Sequence, residues 1–319
     1  MANAVILDAE SLGPEINLAA IESQVETLTV YHQSTPQQAR ERLAGADIAI
    51  VNKVQIDAET IKALPGLRLI CVLATGLNNI DVKAADAHGI SVRNVTAYGT
   101  ASVSQHTLML MLTLANRLPL YQADIARGKW QQSPFFCLQD YPTLQLAGKH
   151  LVMVGQGELG NEVARLAKAF GLSVSFSARP GNEANDSRPA LDDLLPQADI
   201  LSLHCPLNES THHLINRQRL GNVKPSLLLV NCARGGVIDE QAALEALRQR
   251  QIGGLAVDVL PEEPPKNGHP MLDALHDTTQ QGEPLNLIVT PHNAWITPEA
   301  RQNIIKLTAD NIQAWKAQT

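Results

Sequence analysis

Near the middle of a 319-residue chain, Gly155-Gln156-Gly157-Glu158-Leu159-Gly160 sets three glycines at G-x-G-x-x-G spacing. Leu151-Val152-Met153-Val154 runs into it as a short apolar stretch, the pattern of a parallel strand buried on both faces. Asn161 to Phe170 leaves it with Val163, Leu166, Ala167 and Phe170 at helical spacing. Outside such a setting the spacing is a common glycine turn; between a strand and a helix it signifies dinucleotide binding. The first glycine permits the tight turn, the second lets the backbone approach a pyrophosphate, and the third lets helix and strand pack closely. The helix start presents unpaired N–H groups and a partial positive charge to phosphates. Gly155, Gly157, Glu158, Leu159 and Gly160 are therefore the expected cofactor-binding residues of this turn.

About half the protein precedes that fold, and its segments also alternate. Val5-Ile6-Leu7, Leu28-Thr29-Val30, Ile48 to Val51, Leu69 to Val72 and Ile90-Ser91-Val92 read as strands. Ile16 to Ile21, Pro36 to Leu43 and Ala58 to Leu64 read as helices between them. Thr100 to Leu118 reads as a long apolar helix halted by Pro119, with a polar segment to Trp130 and a loop or arm over Gln131 to Gly148. After the glycine turn come strands at Val174-Ser175-Phe176, Ile200 to Leu203, Leu227 to Val230, Leu255-Ala256-Val257 and Leu287-Ile288-Val289. Thr297-Pro298-Glu299 starts a final helix, with threonine as cap. The expected fold is α/β with two doubly wound parallel-sheet domains: a Rossmann domain, residues 101–292, inserted in a split flavodoxin-like substrate domain, residues 1–100 and 293–319. The two chain crossings would act as hinges around a cleft.

A net charge of −7 argues against a nucleic-acid surface. The apolar run Leu108 to Leu112 is too short to span a bilayer, and the N-terminus lacks the basic start of a signal peptide. Cys71, Cys137, Cys205 and Cys232 have no metal-site spacing and read as free thiols, so no metal is expected and a cytoplasmic location fits.

Arg234, Asp258, Glu263 and His292 each lie next to a strand end downstream of the glycine turn. Ligands of doubly wound sheets bind outside the carboxyl ends of the strands. Arginine can grip a carboxylate through two parallel hydrogen bonds and polarise the neighbouring carbonyl. Histidine can pass a proton to that carbonyl as hydride arrives, or accept one in reverse, and a paired carboxylate fixes its tautomer. Each has an ordinary reading too: Arg234 bonding carbonyls beside Gly235-Gly236, Asp258 as a cap, Glu263 in a solvated Pro261–Pro265 loop, His292 as a packing residue. Their joint placement on one nucleotide fold favours the chemical reading, with a small 2-hydroxy or 2-oxo acid as substrate.

From about Val72 to Ala300 the chain resembles the D-isomer-specific 2-hydroxyacid dehydrogenase family. The resemblance is carried by Ala74-Thr75-Gly76-Leu77-Asn78-Asn79-Ile80-Asp81, the glycine turn, and Leu203-His204-Cys205-Pro206-Leu207. Asn231-Cys232-Ala233-Arg234-Gly235-Gly236, Asp258 to Pro264 and Thr290-Pro291-His292-Asn293-Ala294-Trp295 complete it. It implies catalytic roles for Arg234, His292 and its partner Glu263, and a nicotinamide carboxamide contact at Asp258. It also implies cofactor contacts at Cys205, Pro206 and Cys232, and a substrate touched by Thr75, Gly76, Arg234 and His292, with its carboxylate held by the backbone around Thr75 and Gly76. Ala97 to His106 and Phe136 to Pro142 look like the glycerate dehydrogenase and hydroxypyruvate reductase branch. Family members are usually dimers, which implies a homodimer through residues 100–148.

In one place the fingerprint is broken. The acidic residue expected at the end of the second strand falls near Ala178, and the neighbouring charged residue is Arg179. A cation there can take a 2′-phosphate or stack on adenine, whereas the ordinary reading is a surface arginine. NADP is favoured and NAD stays open; Arg188 would add a second cation if its loop folds back, against Glu183 and Asp186. A short form of D-3-phosphoglycerate dehydrogenase stays open, although a chain ending at Thr319 leaves no room for a regulatory domain. Formate dehydrogenase is disfavoured by Glu263, where a glutamine would be expected. A non-enzymatic nucleotide-sensing protein is the alternative of a different class.

Overall fold

The computed structural model describes residues 2–318. The chain divides into two compact units, Met1–Gly99 with Trp295–Thr319, and Thr100–Ala294. In the first, β1 (Asn3–Ile6), β2 (Thr27–Val30), β3 (Ile48–Val51), β4 (Leu69–Val72) and β5 (Ser91–Asn94) form a parallel sheet of order β2-β1-β3-β4-β5. This is the flavodoxin-like order. The inner strands are continuously apolar because both faces are covered. Ile6, Ile48, Ile50, Leu69 and Cys71 pack with Ile304, Ile305 and Ile312 of the final helix, Pro298–Lys316. The alternate residues Val5, Ala49, Val51, Ile70 and Val72 pack with Ala39, Leu43 and Ile61 on the opposite face. Thr297 caps the final helix by accepting the Ala300 N–H, and Pro298 stands in its first turn.

The second unit carries β6 (His150–Val154), β7 (Ser173–Phe176), β8 (Ile200–Leu203), β9 (Leu228–Asn231), β10 (Gly254–Val257) and β11 (Leu287–Val289). All pairings are parallel, in the order β11-β10-β9-β8-β6-β7. The order reverses between β6 and β8, the switch point where such sheets take ligands. Leu151, Met153, Ile200 and Val230 pack under helices Thr100–Asn116 and Glu158–Ala169 through Leu110, Met111, Leu114 and Val163. Val152, Leu201, Leu229 and Val257 face Leu194, Ala243 and Leu247 on the other side. The two parallel-sheet α/β units are those expected. Among the described residues no helix is long and apolar enough to cross a membrane.

Two local readings need correction. Pro119 does not halt the long helix: that helix ends at Asn116, Arg117 turns left-handed at φ 53°, and Pro119 sits in the first turn of a new helix, Leu118–Ala126. Proline lacks only an N–H that the first turn leaves unpaired anyway, so it starts helices more readily than it ends them. The helix expected over Ile16 to Ile21 is confined to Ala19–Glu22. The helix Val82–Ala87, capped by Asp81, has too short an apolar stripe to stand out in the sequence.

Candidate active site

In the second unit the carboxyl ends of β9, β10 and β11 lie side by side, with Val257 opposite both Asn231 and Val289. Arg234, Asp258 and His292 follow those three ends. The Arg234 turn is anchored by Asn231, whose Oδ1 accepts the Ala233 N–H at 3.0 Å and whose Nδ2 donates to the Arg234 carbonyl at 2.9 Å. Gly235 lets it approach the next loop: a Cβ there would stand 2.2 Å from the Leu260 carbonyl carbon and 2.3 Å from Pro261 N. The half-buried guanidinium donates through Nη1 to the Ala233 carbonyl at 2.7 Å and makes no other hydrogen bond among the described residues.

Glu263 closes its own loop and reaches out of it. Its Oε1 accepts the Leu260 N–H at 2.8 Å, and its Oε2 lies 2.5 Å from His292 Nδ1. Both side chains are about one-third exposed, 34% for His292 and 32% for Glu263. The carboxylate holds the proton on Nδ1, so the neutral ring presents Nε2 as an acceptor and the charged ring presents it as a donor. Nε2 has no hydrogen-bond partner among the described residues.

His292 takes φ 51°, a left-handed conformation uncommon for a residue with a side chain. Its N–H donates to the carbonyls of Asp258 at 2.8 Å and Thr290 at 3.0 Å. The Asp258 carboxylate, 2% exposed, holds the same loop. Its Oδ1 accepts the Thr290 hydroxyl at 2.5 Å and the Asn293 N–H at 3.0 Å, and its Oδ2 accepts the Ala294 N–H at 3.1 Å. These donors lie 32 to 36 residues further along the chain, so among the described residues Asp258 braces a distant loop and does not cap the turn that follows it, and any carboxamide contact shares a carboxylate already engaged. Ser102, in the first turns of Thr100–Asn116, donates to the Ala294 carbonyl at 2.5 Å. Sequence reading assigned no role to this brace or to His106 beside Thr290, although both residues lie in the Ala97 to His106 stretch that resembles the glycerate dehydrogenase branch.

The glycine turn sits at the switch point. Gly155, at φ 104°, lies so close to β8 that a Cβ would meet the His204 carbonyl oxygen at 2.4 Å. A Cβ on Gly160 would meet the Gly155 oxygen at 2.1 Å, whereas one on Gly157 would meet nothing within 4 Å. Gly157 caps the Glu158–Ala169 helix without a side-chain acceptor, so open space lies at the cap of its first-turn N–H groups. That geometry fits a pyrophosphate. Glu158 accepts the Thr100 hydroxyl at 2.9 Å, and Leu159 packs against the core. Burial pushes the Cys205 thiol up to about 11 and the Cys232 thiol up to about 12, so both are neutral packing groups. Cofactor contacts at these two positions would come from backbone; Pro206 is exposed.

Beyond β7 the loop does fold back. Asp186 accepts the N–H groups of Arg179 at 2.8 Å and Arg188 at 3.0 Å and forms an ion pair with the Arg188 guanidinium, which holds its carboxyl well below the usual range. Arg188 Nη1 then reaches Gln156 Oε1 in the glycine turn at 3.0 Å. Arg179 is exposed. In the first unit, Thr75 and Gly76 follow β4; Thr75 donates its hydroxyl to the Val95 carbonyl at 3.1 Å, and its own carbonyl accepts from Asn94 Nδ2 at 2.7 Å.

A parallel sheet with this turn at its switch point defines a dinucleotide-binding unit, and the chain is an oxidoreductase using a nicotinamide cofactor. Residues 108–294 match the family described as D-isomer specific 2-hydroxyacid dehydrogenase, NAD binding domain. The chain belongs to the D-isomer-specific 2-hydroxyacid dehydrogenase family. It is 41% identical to a glycerate dehydrogenase of Methylorubrum extorquens, over 89% of this chain and 87% of that one. It is 32% identical to a hydroxypyruvate reductase of Blautia hydrogenotrophica, over 97% of this chain and 95% of the other. Among solved structures, the TT0316 protein of Thermus thermophilus superposes with a TM-score of 0.81 at 29% identity, covering 99% and 97% of the two chains.

Proposed function

We propose that the chain reduces hydroxypyruvate or glyoxylate to the corresponding 2-hydroxy acid, and oxidises D-glycerate in reverse. The observation that carries this reading is His292, paired through Nδ1 with Glu263 at 2.5 Å while Nε2 has no hydrogen-bond partner among the described residues. The bound nicotinamide supplies or takes the hydride. Arg234 holds the substrate carboxylate and polarises its 2-oxo group, and His292 Nε2–H protonates the oxygen as the carbonyl is reduced. Glu263 balances the imidazolium before that transfer and fixes the tautomer after it. Thr75 and Gly76 contribute to carboxylate binding, and residues 1–100 with 293–319 form the substrate domain. Gly155, Gly157, Glu158, Leu159, Gly160, Cys205, Pro206, Cys232 and Asp258 line the cofactor site within residues 101–292. The names of the relatives favour hydroxypyruvate over 3-phosphohydroxypyruvate. Initial rates with hydroxypyruvate, glyoxylate, pyruvate and 3-phosphohydroxypyruvate against NADH and NADPH test it. No cofactor oxidation with any of them would favour a nucleotide-sensing role instead.

NADP is the favoured cofactor. Exposed Arg179 supplies a cation at the corner where an acidic residue would select NAD, and the one carboxylate bound to its N–H, Asp186, is balanced by its ion pair with Arg188. A homodimer through residues 100–148 is supported by exposed aromatic side chains on the arm, Phe135 at 73% and Phe136 at 90%. The arm is anchored by Tyr141, whose hydroxyl donates to buried Asp124 at 2.9 Å, and by Lys129, which bridges Asp124 and Asp140. Light scattering of wild type and Phe135→Ser/Phe136→Ser decides the point, with a monomeric variant expected. Four free thiols, three of them buried, support a reducing cytoplasm.

A further inference from the structure

We infer that His106 is a positioning residue for the reaction, acting on His292 through Thr290 and Asp258; this rests on His292 being the proton donor. His106 Nε2 lies 3.1 Å from Thr290 Oγ1 and 3.5 Å from Asp258 Oδ1, on a side chain 14% exposed. The Thr290 hydroxyl is committed as donor to Asp258 Oδ1 at 2.5 Å, so its remaining lone pairs face the imidazole and His106 Nε2–H donates to them. Burial holds the His106 pKa below its ordinary value, against the opposing charge of Asp258, so the ring serves as a neutral donor.

The hydrogen bonds form one directed chain. His106 Nε2–H donates to Thr290 Oγ1, and Thr290 Oγ1–H donates to Asp258 Oδ1. The Asp258 carboxylate takes the N–H groups of Asn293 and Ala294, and its carbonyl takes that of His292. Every N–H from His292 to Ala294 is therefore tied to Asp258. These bonds keep His292 at φ 51°, the conformation in which Nδ1 meets Glu263. Asp258 lies 2% exposed, where a carboxylate needs all its donors. Removing the Thr290 or His106 donor frees Asp258 to turn, and the loop that presents His292 turns with it.

The test compares His106→Leu, His106→Gln and Thr290→Val with wild type and His292→Gln. Readouts are kcat and KM for hydroxypyruvate, cofactor Kd by fluorescence, and Tm. His106→Leu and Thr290→Val should each lose roughly tenfold in kcat, the scale of a slightly misplaced reacting group, with cofactor Kd changed less than about twofold. KM for hydroxypyruvate should change far less than kcat in both, because the loss lies in the placement of Nε2. His106→Gln, whose amide N–H can replace Nε2–H, should recover most of the loss. Thr290→Val, close to threonine in volume, decides the matter if His106→Leu does not fold. Wild-type kcat in Thr290→Val, or equal losses in the Leu and Gln variants, would overturn the inference. Should His292→Gln itself turn over at nearly the wild-type rate, the proton-donor reading fails first.

Discussion

The three glycines of the turn face different neighbours, so one methyl group added at Gly157 or Gly160 should have opposite consequences. At Gly160 the new Cβ would stand 2.1 Å from the Gly155 carbonyl oxygen. Helix and turn must therefore separate by about 1 Å to reach ordinary contact, and the obstacle is backbone with no rotamer to yield. Overpacking of this kind costs about 1–3 kcal/mol, or roughly 3–8 °C in Tm for a unit of this size. At Gly157 nothing lies within 4 Å, and φ −80° with ψ −172° suits alanine. Alanine is a poorer N-cap by about 0.5–1 kcal/mol but lowers the entropy of the unfolded chain by a similar amount, so Tm should stay within about 2 °C of wild type. In the proposed cofactor site the space its methyl fills is the approach of the pyrophosphate, so cofactor affinity should fall about 10- to 100-fold, some 1.4–2.8 kcal/mol. The assay is thermal melting of the cofactor-free protein beside NADPH and NADH titration by fluorescence, for Gly157→Ala and Gly160→Ala. Wild-type affinity in a folded Gly157→Ala protein, or an unchanged Tm in Gly160→Ala, would refute this division of roles.

Further outcomes follow from the same geometry. His292→Gln should lower kcat/KM by about 10²- to 10⁴-fold with cofactor Kd unchanged, the usual scale of a lost general acid; near wild-type turnover would remove His292 from the chemistry. Glu263→Gln should lower kcat/KM for reduction with cofactor Kd unchanged, since Nδ1 loses the carboxylate that orients the ring, and wild-type kcat/KM would count against the pairing. The ratio of kcat/KM for NADPH over NADH should fall roughly ten- to a hundredfold in Ala178→Asp/Arg179→Ala; a ratio that holds would leave Arg179 a surface residue. Glu240 has its carboxyl pushed up to about 7 by burial and then by Asp239, beside His269 Nε2 at 2.9 Å. A carboxyl raised in the folded state stabilises the fold below its unfolded value and loses that contribution as pH rises through about 7, so Glu240→Gln should narrow the Tm difference between about pH 4 and pH 8. An identical pH dependence in the variant would show that Glu240 is not linked to folding.

Elements whose signals are local were readable in the chain itself. Ile48–Val51, Leu69–Val72, Ile200–Leu203 and Leu287–Val289 have the bounds their apolar runs suggested, because strands covered on both faces are apolar at every position. The glycine turn and the Thr297-Pro298 helix start were equally legible, since each depends on contacts within a few residues. Pro119 was misread because the same residue ends one helix or begins another, and the choice lay in the backbone of Arg117. The residue types of the candidate site could be picked out beside strand ends, and Glu263 was expected to partner His292, but the contacts that hold the pair in place left no such trace. Glu263 meets His292 across 29 positions, Thr290 meets Asp258 across 32, and His106 meets Thr290 across 184. Hydrogen bonds of that span leave no period in the sequence; they arise because adjacent parallel strands bring their carboxyl ends to one edge and a helix packs across them. For the same reason Arg188 could be named as a cation, while only the folded loop, held by Asp186, decided that it reaches Gln156.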